Sequence, residues 1–259
     1  MSRSPLSGVL AALACCCGAL AASAQVQPRA TIELFTSQGC SSCPTADRLL
    51  GELAADPSLV ALSAPIDYWD YLGWKDTLAS PRNTARQRAY AQARGDGTVY
   101  TPQVVVNGVL DAVGSDRAAI ELAIGKSLGR PGTMSLGPVT LAFGDGRVNV
   151  GVPDAATLAL ASSPRGNADT SSAVVWLFGL AKTITVAIGR GENTGRKITY
   201  HNVVRRWVRL GEWSGRAASW SVPLATLQGD AVDTAAVLVQ SGSEDNPKAV
   251  LGATLAAIQ

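Results

Sequence analysis

Cys40 and Cys43, set three residues apart in Gly39-Cys40-Ser41-Ser42-Cys43-Pro44, constrain this chain more than any other feature. The apolar run Ala30 to Phe35 precedes them, and Leu49, Leu50 and Leu53 follow at helical spacing, so the pair stands at a strand-to-helix junction. Cys40 is expected at the helix N-cap, where unpaired amides and the helix dipole favour a thiolate. Pro44 suits a first helical turn, whose amides have no intrahelical acceptor. In this reading Cys40 is the exposed attacking thiol and Cys43 the shielded resolving one. A structural staple would be placed elsewhere: a four-residue ring removes roughly 2 kcal/mol of unfolded-chain entropy, against about 3 kcal/mol for a 15-residue loop.

The compartment follows from the N-terminus. Residues 1–24 hold one charge, Arg3, then an apolar stretch from Val9 to Ala22, then Ala22-Ser23-Ala24. This is the pattern of a signal peptide cleaved near Ala24. The stretch of about 14 apolar residues is shorter than the roughly 20 that span a bilayer, and no transmembrane segment is expected in the mature chain. Cleavage removes Cys15, Cys16 and Cys17, which leaves Cys40 and Cys43 in a periplasmic or secreted, disulfide-permissive setting. The 22 basic and 20 acidic residues are scattered, so no basic stripe invites nucleic acid. An apolar content of 47% excludes disorder. No Gly-rich phosphate loop, His-Glu-x-x-His or nucleophile elbow is present, and no cofactor is expected.

The mature chain exceeds a typical domain of about 100 to 150 residues, which favours two cores. Gly129-Arg130-Pro131-Gly132 marks the linker, so that residues 25–130 form an α/β domain and residues 131–259 an all-β one. In the first, strands are expected near 30–35, 59–66 and 103–106, a turn at Asn107-Gly108, and helices from Cys43, over 82–94 and over 116–128. In the second, strands at 139–143, 147–152, 173–180, 182–188, 197–210, 216–222, 234–240 and 248–255 suggest a β-sandwich.

A further mark is Tyr100-Thr101-Pro102-Gln103, just before a strand. A cis Thr101-Pro102 bond, open to any X-Pro pair, would turn the Thr101 backbone toward the cysteines. Strand, C-x-x-C at a helix start, then Thr-Pro before a hairpin and a final helix resembles the thioredoxin superfamily over residues 30–128. Three longer segments are similar to a family of exported bacterial proteins catalogued as a domain of unknown function. They are Ile32 to Pro44, Asp67-Tyr68-Trp69-Asp70-Tyr71-Leu72-Gly73-Trp74-Lys75-Asp76, and Tyr100 to Gln103. Gly189-Arg190-Gly191-Glu192-Asn193 and Tyr200-His201-Asn202-Val203-Val204 extend the likeness into the second half. Departures from thioredoxin are Gly39 in place of Trp, Ser41-Ser42 in place of Gly-Pro, and a longer interval between Cys43 and Pro102.

Glu33 lies seven residues before Cys40, one more than the buried Asp of thioredoxins, and the resemblance assigns it the proton of the resolving thiol. Burial between Ile32 and Leu34 would raise its pKa into the range of a general base; at a strand edge it would be an ordinary solvated Glu. Tyr68, Trp69, Tyr71 and Trp74 are read as core packing or as a rim that grips a substrate. His201, the single histidine, is read as settling a local hydrogen bond. Gly189 to Gly195 is a turn that could lean over the dithiol.

The leading expectation is an exported thiol–disulfide oxidoreductase that exchanges disulfides with a protein or small-thiol partner through Cys40 and Cys43 beside Thr101 and Pro102. Alternatives are a Cu(I) carrier using the same two thiolates, and a binding or scaffold module with an inert thioredoxin-like fold. Zn²⁺ is disfavoured because four ligands are needed and the mature chain adds only one His to the two cysteines.

Overall fold

The computed structural model describes residues 27–155 and 172–258. The expected signal peptide and its three cysteines lie outside them. The described chain is a mixed α/β fold with one eight-stranded sheet, one three-stranded sheet and three α-helices. None of these helices is long and apolar enough to cross a membrane.

Strand β1 (Ala30–Thr36) is wholly buried, between β2 (Leu59–Pro65), which runs parallel to it, and β3 (Gln103–Val106), which runs antiparallel. Alternation sorts its side chains. Ile32 and Leu34 pack on α1 (Cys43–Leu53) and α3 (Arg117–Leu128), through Ala46, Leu49, Leu50, Ile120 and Ile124. Glu33 and Phe35 face the other way, toward α2 (Pro81–Arg94). β4 (Leu110–Val113) closes that edge of the sheet through a hairpin whose Asn107 and Gly108 have φ of 49° and 73°, as a tight primed turn requires. α2 and α3 begin at side-chain caps, Ser80 accepting from the Arg82 amide and Asp116 from the Ala119 amide.

The second half is built of strands, which divide between two sheets. β5 (Thr140–Gly144), β6 (Arg147–Val152) and β9 (Ala218–Pro223) make the small sheet. The long strands β7 (Ala173–Ala187) and β8 (Lys197–Trp213), with β10 (Thr234–Gly242) and β11 (Pro247–Ala257), join the large one. The order β11-β10-β7-β8-β2-β1-β3-β4 therefore crosses the linker near residue 130. The seam is β2 beside β8, with Ser63 opposite Val203 and the Asn202 side chain donating to the Ala61 carbonyl at 2.9 Å. The expected strands 173–180 and 182–188 are one strand, whose register shifts between Gly179 and Leu180 rather than turning. The small sheet lies over β7, β10 and β11, burying Leu141, Val148 and Val150 against Val175, Leu177 and Val237. At about 25 cal/mol per Å² such burial is the main force holding the second layer down.

Candidate functional site

Cys40 and Cys43 are joined in a disulfide with Cα atoms 5.4 Å apart. The N-cap of α1 lies two residues beyond the expected Cys40: Ser42 is the N-cap and Cys43 the first helical residue. Cys40 instead opens a turn in which its carbonyl accepts the Cys43 amide at 3.2 Å. Pro44 cannot donate, and this position costs the helix nothing because first-turn amides have no acceptor within it.

Cys40 is buried, with 3% of its surface exposed, against the expectation of an exposed thiol. What covers it comes from far along the chain. The β7–β8 turn packs onto the cysteine loop, and the fully buried Asn193 donates from Nδ2 to the Gln38 and Cys40 carbonyls, each at 2.9 Å. Next to it the exposed Glu192 carboxylate accepts the Ser41 amide at 3.2 Å. Gly189 and Gly191 let the turn lie flat on Trp74; a Cβ at Gly191, where φ is 78°, would stand 3.3 Å from the Trp74 Cβ. The Cys40 sulfur still lies 3.4 Å from the hydroxyl of exposed Ser42, so its outer side is one group away from solvent. Cys43 is fully buried.

The aromatic segment flanks the same loop. Trp74 donates to the Gln38 side-chain oxygen at 2.7 Å. Trp69 donates to the Thr101 hydroxyl at 2.8 Å, and a Cβ on Gly39 would lie 3.1 Å from the Trp69 Cβ. Gly39 is thus where the aromatic segment touches the cysteine loop. Thr101-Pro102 is cis. Pro102 and Ala46 of α1 both border Gly114, so the Thr-Pro loop abuts the start of α1. Tyr71 stacks on Trp69 at a centroid distance of 6.4 Å and is 78% exposed. Tyr68 is half-buried and bonded to Gln87. Both readings of the segment therefore apply, to different members: Tyr68 and Trp74 pack, and Tyr71 presents a face.

Glu33 is buried but is no free base. Its carboxylate accepts both Nε and Nη2 of Arg86, the latter at 2.8 Å, and the Tyr90 hydroxyl. Burial alone would lower the Arg86 pKa, and the negative charge of Glu33 with the hydrogen bonds of Arg86 to Glu33 and Tyr90 more than reverses this. The Tyr90 hydroxyl is pushed up, first by burial. Alternation along β1 sends Glu33 to the α2 face, away from the helix that carries Cys43.

The acid on the cysteine side is Asp47, which sequence reasoning did not single out. It lies four residues after Cys43, on the same buried face of α1. Neither of its oxygens has a hydrogen-bond partner. Burial drives its carboxyl well above the usual range, the Thr36 hydroxyl opposes this, and the charge of Asp76 adds to it. Asp76 accepts the Gln38 amide at 2.8 Å and the Leu78 amide at 2.8 Å; burial raises it from 3.8 to about 6. The Tyr200 hydroxyl of β8, also unpartnered, is pushed up by burial and then by these two carboxylates. The signal for Asp47 was available: a charged residue at the position where Leu50 and Leu53 demand an apolar face.

His201 packs its ring against Gly51, where a Cβ would come within 2.6 Å. Burial lowers its pKa. It borders a groove of about 620 Å³ that runs along the outer side of α1 from Pro44, past Arg48, Arg196 and Lys197. Among the described residues no group of three or more His, Cys, Asp or Glu is placed to hold a metal ion.

A family model described as a protein of unknown function (DUF1223) matches residues 31–240. The crystal structure of protein AGR_C_4864 from Agrobacterium tumefaciens is similar at 31% identity, over 90% of this chain and 95% of that one, with a TM-score of 0.75. HBP35 of Porphyromonas gingivalis shares the fold at 13% identity, over 90% of this chain and 76% of that one, with a TM-score of 0.54. No curated protein matches. With more than half of the chain covered by its model, the protein belongs to the DUF1223 family.

Proposed function

We propose that this protein is an exported thiol–disulfide oxidoreductase with a thioredoxin-like catalytic half. The observation that carries the reading is the Cys40–Cys43 disulfide at the start of α1, with the Thr101-Pro102 loop against that helix and an unpartnered buried carboxyl, Asp47, one turn beyond Cys43. A structural disulfide needs neither neighbour.

In the reduced protein the Cys40 thiolate attacks a partner disulfide. A bond forms between the Cys40 sulfur and one partner sulfur, and the other partner sulfur leaves as a thiolate that takes a proton from water. Asp47 then accepts the proton of the Cys43 thiol, and the Cys43 sulfur displaces the partner from Cys40 as a second thiolate, which takes a proton from water. The protein ends as the disulfide and the partner as two thiols. A carboxyl raised by burial suits this step, because its affinity for a proton approaches that of the thiol it serves. Asp47 thus takes the part that the resemblance assigned to Glu33. Tyr71, exposed and stacked on Trp69 beside the loop, offers the partner an apolar face.

The test is reduction by a dithiol followed by trapping. The disulfide should open in dithiothreitol, and Cys43→Ala should accumulate a mixed disulfide through Cys40 in the native compartment. A pair that resists excess dithiothreitol in the folded protein, or a Cys43→Ala variant that captures nothing, overturns the reading.

A further inference from the structure

The β7–β8 turn does more than cover the cysteines, because it brings a charge. Glu192 places its carboxylate 3.2 Å from the Ser41 amide, the backbone donor immediately after Cys40. It is held there by its neighbour Asn193, clamped to the carbonyls of residues 38 and 40, and by Gly189 and Gly191 against Trp74. Opening the disulfide leaves negative charge on the Cys40 sulfur whenever that thiol ionises. The amides of the 40–43 turn are the groups that would steady this charge. Of these, the Cys40 amide donates to the Ser37 carbonyl and the Cys43 amide to the Cys40 carbonyl, and the Ser41 amide is occupied by the Glu192 carboxylate. The buried titratable groups contributed by elements packed around the pair are Asp47 from α1, Asp76 from the aromatic segment and Tyr200 from β8, and none is a cation; Arg48, Lys75, Arg190 and Arg196, the cations of the same elements, are exposed.

We infer that Glu192 is a positioning residue that biases the Cys40–Cys43 pair toward its disulfide form, by setting a negative charge on the Ser41 amide where the reduced pair needs a positive field. The inference rests on the exchange reading above and deepens it. A pair biased this way gives up electrons readily, so its partners are disulfides to be reduced or isomerised rather than thiols to be oxidised. It also assigns a purpose to the second half of the chain: residues 189–193 complete a site whose sulfurs lie some 150 positions earlier.

Redox equilibrium supplies the test, on the whole chain with Cys15, Cys16 and Cys17 replaced by serine so that only one dithiol reports. Two electrons and two protons pass from dithiothreitol, which closes its own ring disulfide, to the Cys40–Cys43 bond, which opens to two thiols. Glu192→Gln keeps the size of the side chain and removes the charge. It should shift the equilibrium toward the dithiol about fivefold, the order of effect of one neighbouring charge in water, and about 20 mV by the two-electron relation. Alkylation of Cys40 in the reduced variant should reach half-maximal rate at lower pH than in the parent. Glu192→Asp, which keeps the charge, should stay nearer the parent, and raising the salt should narrow the gap between Glu192→Gln and the parent. A dithiol that equilibrates identically in the parent and in Glu192→Gln overturns the role of Glu192 alone. A disulfide that never equilibrates with dithiothreitol in either protein overturns the exchange reading instead.

Discussion

Each face of the main sheet buries a carboxylate, and the two are treated in opposite ways. On the α2 face Glu33 receives two guanidinium bonds and a phenol, and Tyr90 is tied on to Gln240 of β10 at 2.9 Å. On the α1 face Asp47 has no hydrogen-bond partner and faces a second carboxylate and a phenol. Burying a charge costs several kcal/mol unless it is paired. The first cluster meets that cost with Arg86 and binds α2 to both halves of the chain. The second leaves it unmet one helical turn from Cys43, which is what a proton-accepting site requires and what a purely structural one avoids.

The comparison breaks most visibly at Glu33. Glu33→Ala strands the Arg86 guanidinium in the core and should cost about 3 to 5 kcal/mol in urea unfolding, while the disulfide, if the protein is kept folded, stays reducible. A larger loss of exchange than of stability would place Glu33 in the chemistry after all. Asp47→Asn should do the reverse. Release of a trapped mixed disulfide should slow about a hundredfold, as expected for loss of a positioned base.

The stability of Asp47→Asn sharpens the contrast further. Above 3.8 the unfolded chain releases the Asp47 proton while the folded protein, with its raised pKa, retains it, so stability falls as pH rises through that window. Asparagine does not titrate, so the stability of the variant relative to the parent should rise between pH 3 and pH 8. Asp76 adds a slope of the same sign between 3.8 and about 6. A flat difference between parent and variant from pH 3 to 8 would refute the buried, unpaired carboxyl.

Asn193→Ala removes the donor shared by two buried carbonyls and should cost about 1 to 3 kcal/mol, with faster hydrogen exchange in residues 38–43. Protection unchanged there would mean that the turn does not clamp the cysteine loop. Tyr71→Ala has the smallest expected effect on the fold, within about 0.5 kcal/mol, because the side chain is exposed. Its exchange with a peptide disulfide should weaken while that with a small thiol does not. Equal loss with both would remove Tyr71 from the partner's footprint.

Much of this was legible in the sequence. The order of strands and helices through residue 128 follows from apolar spacing, from Ser80-Pro81 and Asp116 at helix starts, and from Asn107-Gly108 at a turn, all local signals. The cysteine pair and Thr101-Pro102 were legible for the same reason. The pairing of Glu33 with Arg86 was not legible because a residue on a fully buried strand has an apolar neighbour on either side whichever face it takes, so periodicity is silent. The exposure of Cys40 was misjudged because Asn193 lies 153 positions away.

The sequence by itself determined the local pieces: a dithiol at a helix start, a Thr-Pro loop before a hairpin, and an apolar pattern that marks most of the strands. Such features depend on residues within a few positions of one another. Only the tertiary structure decided that β8 would pair with β2 and make one sheet of two halves, that Arg86 would claim Glu33, and that Glu192 and Asn193 would close over Cys40. Those outcomes depend on which distant groups satisfy one another once water is gone, and spacing along the chain carries no record of that.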